Sequence, residues 1–233
     1  MKLDLLAFFK LIENEQYVVI KPSCILPDYD LGSDIDIFCY HAGKMVEITT
    51  AFLANYVDDK SNISVTDSLS KVHVDFLVNN KINFRFDLYK QLPNYKNISL
   101  KSAFFSSVIE SALTRELTEN EAFATVKVPS ATDDLILRYV EYHEYYAARP
   151  DKIKHVEYIQ DKIAGSESER EKLLDKLHYY TEFPQVAYRE KTVKERLVEK
   201  RDYYQSNIDK IKHLYATAGL SVLMRKIAKK IRI

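Results

Sequence analysis

In the run Leu31-Gly32-Ser33-Asp34-Ile35-Asp36-Ile37-Phe38, two carboxylates alternate with two isoleucines. A β-strand sends successive side chains to opposite faces, so Asp34 and Asp36 share one face and Ile35 and Ile37 the other. Two carboxylates about 7 Å apart along a strand are hard-oxygen donors suited to Mg²⁺ or Mn²⁺. Mg²⁺ usually takes one or two protein carboxylates together with substrate phosphates. An exposed edge strand with a solvated face carries the same D-I-D-I pattern, so the residues around it must decide.

Two further carboxylates lie in a pair of alternating segments, 71–79 and 82–90. Val72, Val74, Phe76 and Val78 fall on one face of the first, and Ile82, Phe84, Phe86 and Leu88 on one face of the second. His73, Asp75, Arg85 and Asp87 occupy the opposite positions. A three-residue loop, Asn79-Asn80-Lys81, brings the apolar sets together. A two-residue loop sets polar against apolar, because a one-residue slip turns every side chain over. The favoured register places Asp75 opposite Arg85 and His73 opposite Asp87. Cross-strand ion pairs on a solvated face are the plainer account of the same residues.

These carboxylates need elements to hold them. Leu3–Ile12 has apolar residues at helical spacing. Tyr17–Pro22 is β-branched and aromatic and reads as a strand, closed by a Pro- and Asp-punctuated loop to Ser33. A helix over 44–57, with Val46, Phe52, Leu53 and Tyr56 facing the core, and the 71–90 hairpin complete an α-β-β-α-β-β order, with 62–68 a short additional strand ahead of the hairpin. That order predicts an α+β fold with a small mixed sheet. After residue 95 the chain reads as essentially helical: a helix over 100–117, a short strand over 124–128, and a helix capped by Ser130 with Asp133 three residues on. Further helices begin at Pro150 and Ser166. The predicted organisation is an α/β core over 1–95, a helical domain over 96–188 and a charged arm over 189–233.

A strand, a serine-bearing loop and a strand with two spaced aspartates resemble the nucleotidyltransferase superfamily, which has the DNA polymerase β-like fold. Gly32-Ser33 precedes the aspartates as in many members, and Ser23 stands where the turn serine belongs. The glycine expected before that serine is absent, since the chain has Lys21-Pro22-Ser23. The resemblance implies transfer of a nucleoside monophosphate from an NTP to an acceptor hydroxyl or phosphate. It further implies Asp34, Asp36 and Asp87 as catalytic metal ligands, with Asp75 the alternative to Asp87 or a partner of Arg85. It implies Lys21, Ser23, Gly32 and Ser33 at the phosphates. The helical half is loosely similar to bacterial nucleotidyltransferase-like proteins of surface-polysaccharide genes. By that likeness Lys154 or Lys152 contacts a phosphate, Asp161 orients the nucleotide, and the acceptor is a sugar phosphate or glycan. A tRNA or protein acceptor, and a catalytically degenerate nucleotide-binding module, are the competing readings.

Composition limits the choices. The 233 residues carry 34 basic and 34 acidic side chains but only four glycines and no tryptophan. No glycine-rich dinucleotide or P-loop motif is present. Cys24 and Cys39 make neither a disulfide scaffold nor a zinc site, which suits a reducing cytoplasm. No signal peptide or membrane-spanning run is apparent. From Arg189 onward there are 13 basic and five acidic residues, an excess of eight that the rest of the chain balances with the opposite sign. The body is thus no basic platform for nucleic acid. Residues 219–233 pattern as a basic amphipathic helix, suited to a peripheral contact with the inner membrane face or to docking on the protein or a second subunit.

Overall fold

The computed structural model describes residues 2–57, 62–119, 121–182 and 201. The expected basic helix at 219–233, and all of the arm but Arg201, lie outside the described residues. The fold is α+β, built on a five-stranded mixed sheet.

Helix α1 (Leu5–Leu11) opens at Asp4, whose carboxylate accepts from the Ala7 amide at 3.0 Å. Strands β1 (Tyr17–Ile20) and β2 (Ser33–Cys39) follow, then helix α2 (Ala42–Ala54) and strands β3 (Ile63–Asp67), β4 (Lys71–Val78) and β5 (Lys81–Tyr89). The sheet order is β1-β2-β5-β4-β3. Among the described pairs of this sheet, β2–β5 is parallel and the other three are antiparallel.

The β4–β5 hairpin reaches the predicted register by an unpredicted route. Its turn has two residues, Asn79 and Asn80, both with positive φ (52° and 57°), and Val78 faces Lys81. Such turns match the natural twist of a strand pair, and asparagine tolerates the left-handed region better than most residues. A bulge then corrects the slip. Leu77 faces Ile82 but Phe76 faces Phe84, which leaves Asn83 unopposed. Beyond it Asp75 faces Arg85 and His73 faces Asp87, as expected from the longer loop.

The second half is less helical than its sequence suggests. Only Ala103–Glu110 of the expected 100–117 helix is helical (α3). Leu113–Glu119 (β7) pairs with Ala122–Val128 (β8) as a hairpin. The physical reason is alternation: Leu117, Ala124 and Val126 point inward and are buried while their neighbours face solvent. A two-residue ladder, β6 (Ser99–Leu100) with β9 (Thr181–Glu182), ties the start of this half to its end. Helix α4 (Ala131–Tyr145) begins at Ser130, whose hydroxyl accepts from the Asp133 amide at 3.2 Å and donates to the Asp133 carboxylate at 2.6 Å. A short 3₁₀ turn, Pro150–Lys152, leads into α5 (Ile153–Ile163), and α6 (Glu167–Tyr180) follows.

The sheet has a core on each face. Ile35, Ile37, Val74, Phe86 and Leu88 face α1, α2 and the β7–β8 hairpin, with the Phe8 ring 4.7 Å from Phe86 and 5.4 Å from Phe52. On the other face Val18, Ile20 and Phe38 pack against α3, α4, α5 and α6. The helices therefore cover the β1 end of that second face, beside the row of charged residues on β2, β4 and β5.

Candidate active site

The helices do not close over the charged row completely, and a cleft of about 980 Å³ remains. One wall is the end of β1, the loop after it and the start of β2. The other is α4, the 3₁₀ turn and the first turns of α5.

On the strand wall, Asp34 and Asp36 project from the same face of β2 into the cleft, Asp34 exposed and Asp36 half-buried. Parallel pairing sets Asp36 beside Asp87 and Asp34 beside Arg85. Burial raises the Asp36 pKa, and the charges of Asp34 and Asp87 raise it further against the pull of Lys21. Asp87 is buried and does not line the cleft. Its two oxygens are taken by Lys71 at 2.5 Å and His73 at 2.6 Å, and these partners outweigh burial and lower its pKa. Asp75 is gripped by Arg85 through two bonds of 2.5 and 2.8 Å.

Ser23, Ser33 and Lys154 also line the cleft, and Lys154 is exposed there. The Ser23 hydroxyl accepts from the Ile25 amide at 3.3 Å. Gly32 shapes the turn instead. Its φ is 76° and its amide donates to the Asn83 carbonyl at 2.7 Å. Asp161, on α5, does not line the cleft. The glycine missing before Ser23 has a physical counterpart, because the left-handed residue of that turn is Lys21, with φ 49°. A side chain in this region costs roughly 1–2 kcal/mol. Here it places an ammonium 2.6 Å from Glu141 and 3.5 Å from Asp36. Burial disfavours the charged lysine, but the two carboxylates prevail and raise its pKa.

Glu141 is the residue that sequence reasoning overlooked. It sits on α4 within the buried stripe of Ile136, Leu137 and Val140, and a carboxylate at an apolar-stripe position is the signal that could have found it. It also bonds Lys152, a largely buried residue that lines the cleft, and lies 3.7 Å from His155. Burial raises its pKa, but Lys21 and Lys152 more than reverse this and hold the carboxyl at about 2. Arg138, paired to Asp134, and Arg149, paired to Asp151, line the helical wall with Asp151 and Glu157.

The donor set at Asp34 and Asp36 fits a divalent cation shared with a ligand: one exposed carboxylate, one crowded by like charge and facing Lys21, and an open side toward the cleft. Among the described residues no group of three or more His, Cys, Asp or Glu side chains stands ready to hold a metal alone. Among the described residues no helix is long and apolar enough to cross a membrane. Both cysteines are free.

No protein-family model matches the chain. No curated protein matches it either. Among solved structures it is similar to an antigenic nucleotidyltransferase-like protein from Paracoccidioides brasiliensis, at 12% identity and a TM-score of 0.39, over 95% of this chain and 94% of that one. A likeness at that score says nothing of this chain's activity.

Proposed function

We propose that the protein is a nucleotidyltransferase that moves a nucleoside monophosphate from an NTP to an acceptor hydroxyl or phosphate. One observation carries this reading. Two carboxylates on one face of a rigid strand look across a cleft large enough for a nucleotide at a helical wall where Lys152, Lys154, Arg138 and Arg149 stand among Glu141, Asp151 and Glu157. Carboxylates alone repel a triphosphate and cations alone would bind any anion, so the pairing of the two walls suits a metal-bound polyphosphate. Asp34 and Asp36 would hold Mg²⁺ or Mn²⁺, which when bound neutralises triphosphate charge and polarises phosphoryl oxygens. Lys21, Ser23 and Ser33 contact phosphates from the strand side, and Lys154 from the helical side. Positioning and charge stabilisation dominate such chemistry. The acceptor lies between the walls, where an oxygen displaces pyrophosphate at the α-phosphorus. By resemblance it is a sugar phosphate or glycan precursor.

A second reading has its own support. Lys71 and His73 occupy the oxygens of Asp87, the third carboxylate of the row, which suits a nucleotide-binding module without turnover.

Thermal denaturation with each of the four NTPs, with and without Mg²⁺, tests the site. A ligand that binds only the native state raises its stability by mass action. The expected result is a rise of several degrees with one nucleotide, dependent on Mg²⁺ and abolished in Asp34→Asn/Asp36→Asn. No Mg²⁺-dependent rise with any nucleotide overturns the proposal. A rise without pyrophosphate release across acceptors selects the binding module.

A further inference from the structure

The helical wall holds a group that the proposed phosphate contacts leave unused. His155, in the first turn of α5, lines the cleft with only 4% of its surface exposed. Among the described residues neither of its ring nitrogens has a hydrogen-bond partner. Native structures rarely leave buried polar atoms in that condition, and such an atom calls for an explanation. Nε2 lies 3.7 Å from the Glu141 carboxylate, beyond hydrogen-bonding distance. The carboxylate is held instead by Lys152 and by Lys21. Lys21 has a second anchor in Asp36, whereas Lys152 rests on Glu141.

We infer that Lys152, Glu141 and His155 form a proton-coupled polyphosphate site, in which phosphate oxygens draw Lys152 from Glu141 and the imidazole takes up a proton and becomes the carboxylate's new partner. This deepens the proposed triphosphate site and rests on it.

The charges around the ring explain the coupling. Burial keeps the imidazole neutral, with its pKa lowered to about 4. Glu141 favours protonation, and Lys152, Arg138 and Lys21 oppose it. Lys154 and Glu157 line the same cleft. Without ligand, Lys152 and Lys21 hold the Glu141 carboxylate and oppose a further proton on the buried ring. A polyphosphate bound at Lys152 reverses that balance. Several anionic charges in a partly desolvated cleft then oppose burial and favour the imidazolium. The approach of the α5 N-terminus to the cleft adds a field of the sign that attracts phosphate. The unsatisfied ring is thus explained as one end of a bond that forms only in the liganded protein.

NMR of the imidazole C–H groups provides the test, followed between about pH 5.5 and 8.5, the range in which histidines ordinarily titrate. The His155 signal is assigned by its loss in His155→Asn, or in His155→Gln where the first variant does not fold. The probe is inorganic tripolyphosphate, which carries no base and is added without metal. In the free protein His155 stays neutral across the range. With tripolyphosphate bound, its midpoint rises into the range, and Glu141→Gln removes most of that rise. A His155 signal that does not titrate with tripolyphosphate bound overturns the inference, as does failure of tripolyphosphate to bind. Stabilisation by Mg²⁺ and a nucleotide alongside a silent His155 defeats the inference and leaves the proposed function standing. A responsive His155 with no nucleotide effect does the reverse.

Discussion

Glu141 and His155 both tie the protein's stability to pH, and in the same direction. The folded pKa of His155 is about 4 against an ordinary 6.5, so the unfolded chain binds more protons between these values. Stability therefore falls as pH falls through that window. The folded pKa of Glu141 is about 2 against 4.5, so its contribution is present above 4.5 and is lost as pH drops toward 2. Chemical denaturation at a series of pH values should show two successive losses on acidification. In His155→Asn the upper loss, between pH 6.5 and 4, should largely vanish while the lower one stays; an unchanged upper limb would contradict the burial-driven shift. Of this cluster, the sequence revealed Lys21 and Lys152 only as candidate phosphate contacts. Glu141 and His155 become meaningful through the packing of α4 on α5, which no local pattern encodes. Asp34 and Asp36 were legible because strand alternation is a local rule.

At the level of elements, the β4–β5 hairpin separates what pattern can and cannot reveal. Alternation alone identified the partners of Asp75 and Asp87. The turn and the bulge escaped it, because a short turn with one unopposed residue yields the same face assignment as a longer loop. Asn79 and Asn80 both occupy the left-handed region. Asn80→Val should cost about 1–3 kcal/mol, since a β-branched residue is strained there. Asn80→Gly should cost little or nothing, as Asn-Gly is a favoured pair for this turn. Urea denaturation midpoints of the two variants measure the contrast, and equal midpoints would count against the turn assignment. Of the β7–β8 hairpin the sequence shows the second strand, over 124–128, but hides the first: Leu113 and Leu117 lie four residues apart, a spacing that continues the helical pattern of Phe104, Phe105, Val108 and Ile109.

For the molecule as a whole, the sheet is shared property. Phe38 is fully buried on the helix-covered face, 4.8 Å ring to ring from Phe105 and 5.5 Å from Tyr89, while Ile35 and Ile37 of the same strand serve the opposite core. The halves expected on either side of residue 95 thus meet through the sheet, at Phe38 of β2 and at Val18 and Ile20 of β1. Phe38→Ala should cost about 3–5 kcal/mol. Far-ultraviolet dichroism and tyrosine fluorescence should still report a single coincident transition, because both cores lean on β2. Two separated transitions would show that the helical half unfolds independently. The α+β class and the order of the first seven elements could be read from the chain, whereas the packing of the β7–β8 hairpin back onto α1 and β1 is a long-range contact without a sequence signature.

The unopposed residue of the β5 bulge has a reach beyond its own hairpin. The Asn83 carbonyl receives the Gly32 amide, and its side-chain oxygen receives the Tyr29 hydroxyl at 3.0 Å, which in turn accepts from the Leu3 amide at 2.6 Å. In evolutionary terms, hairpin length and the position of the cleft loop are one inherited character. A deletion that removed Asn83 could be offset in register by lengthening the turn, but the loop ahead of Asp34 would lose its mooring all the same. Drift in the number of residues between Asn79 and Arg85 is therefore constrained by the cleft on the opposite edge of the strand, although none of those residues except Phe84 lines it.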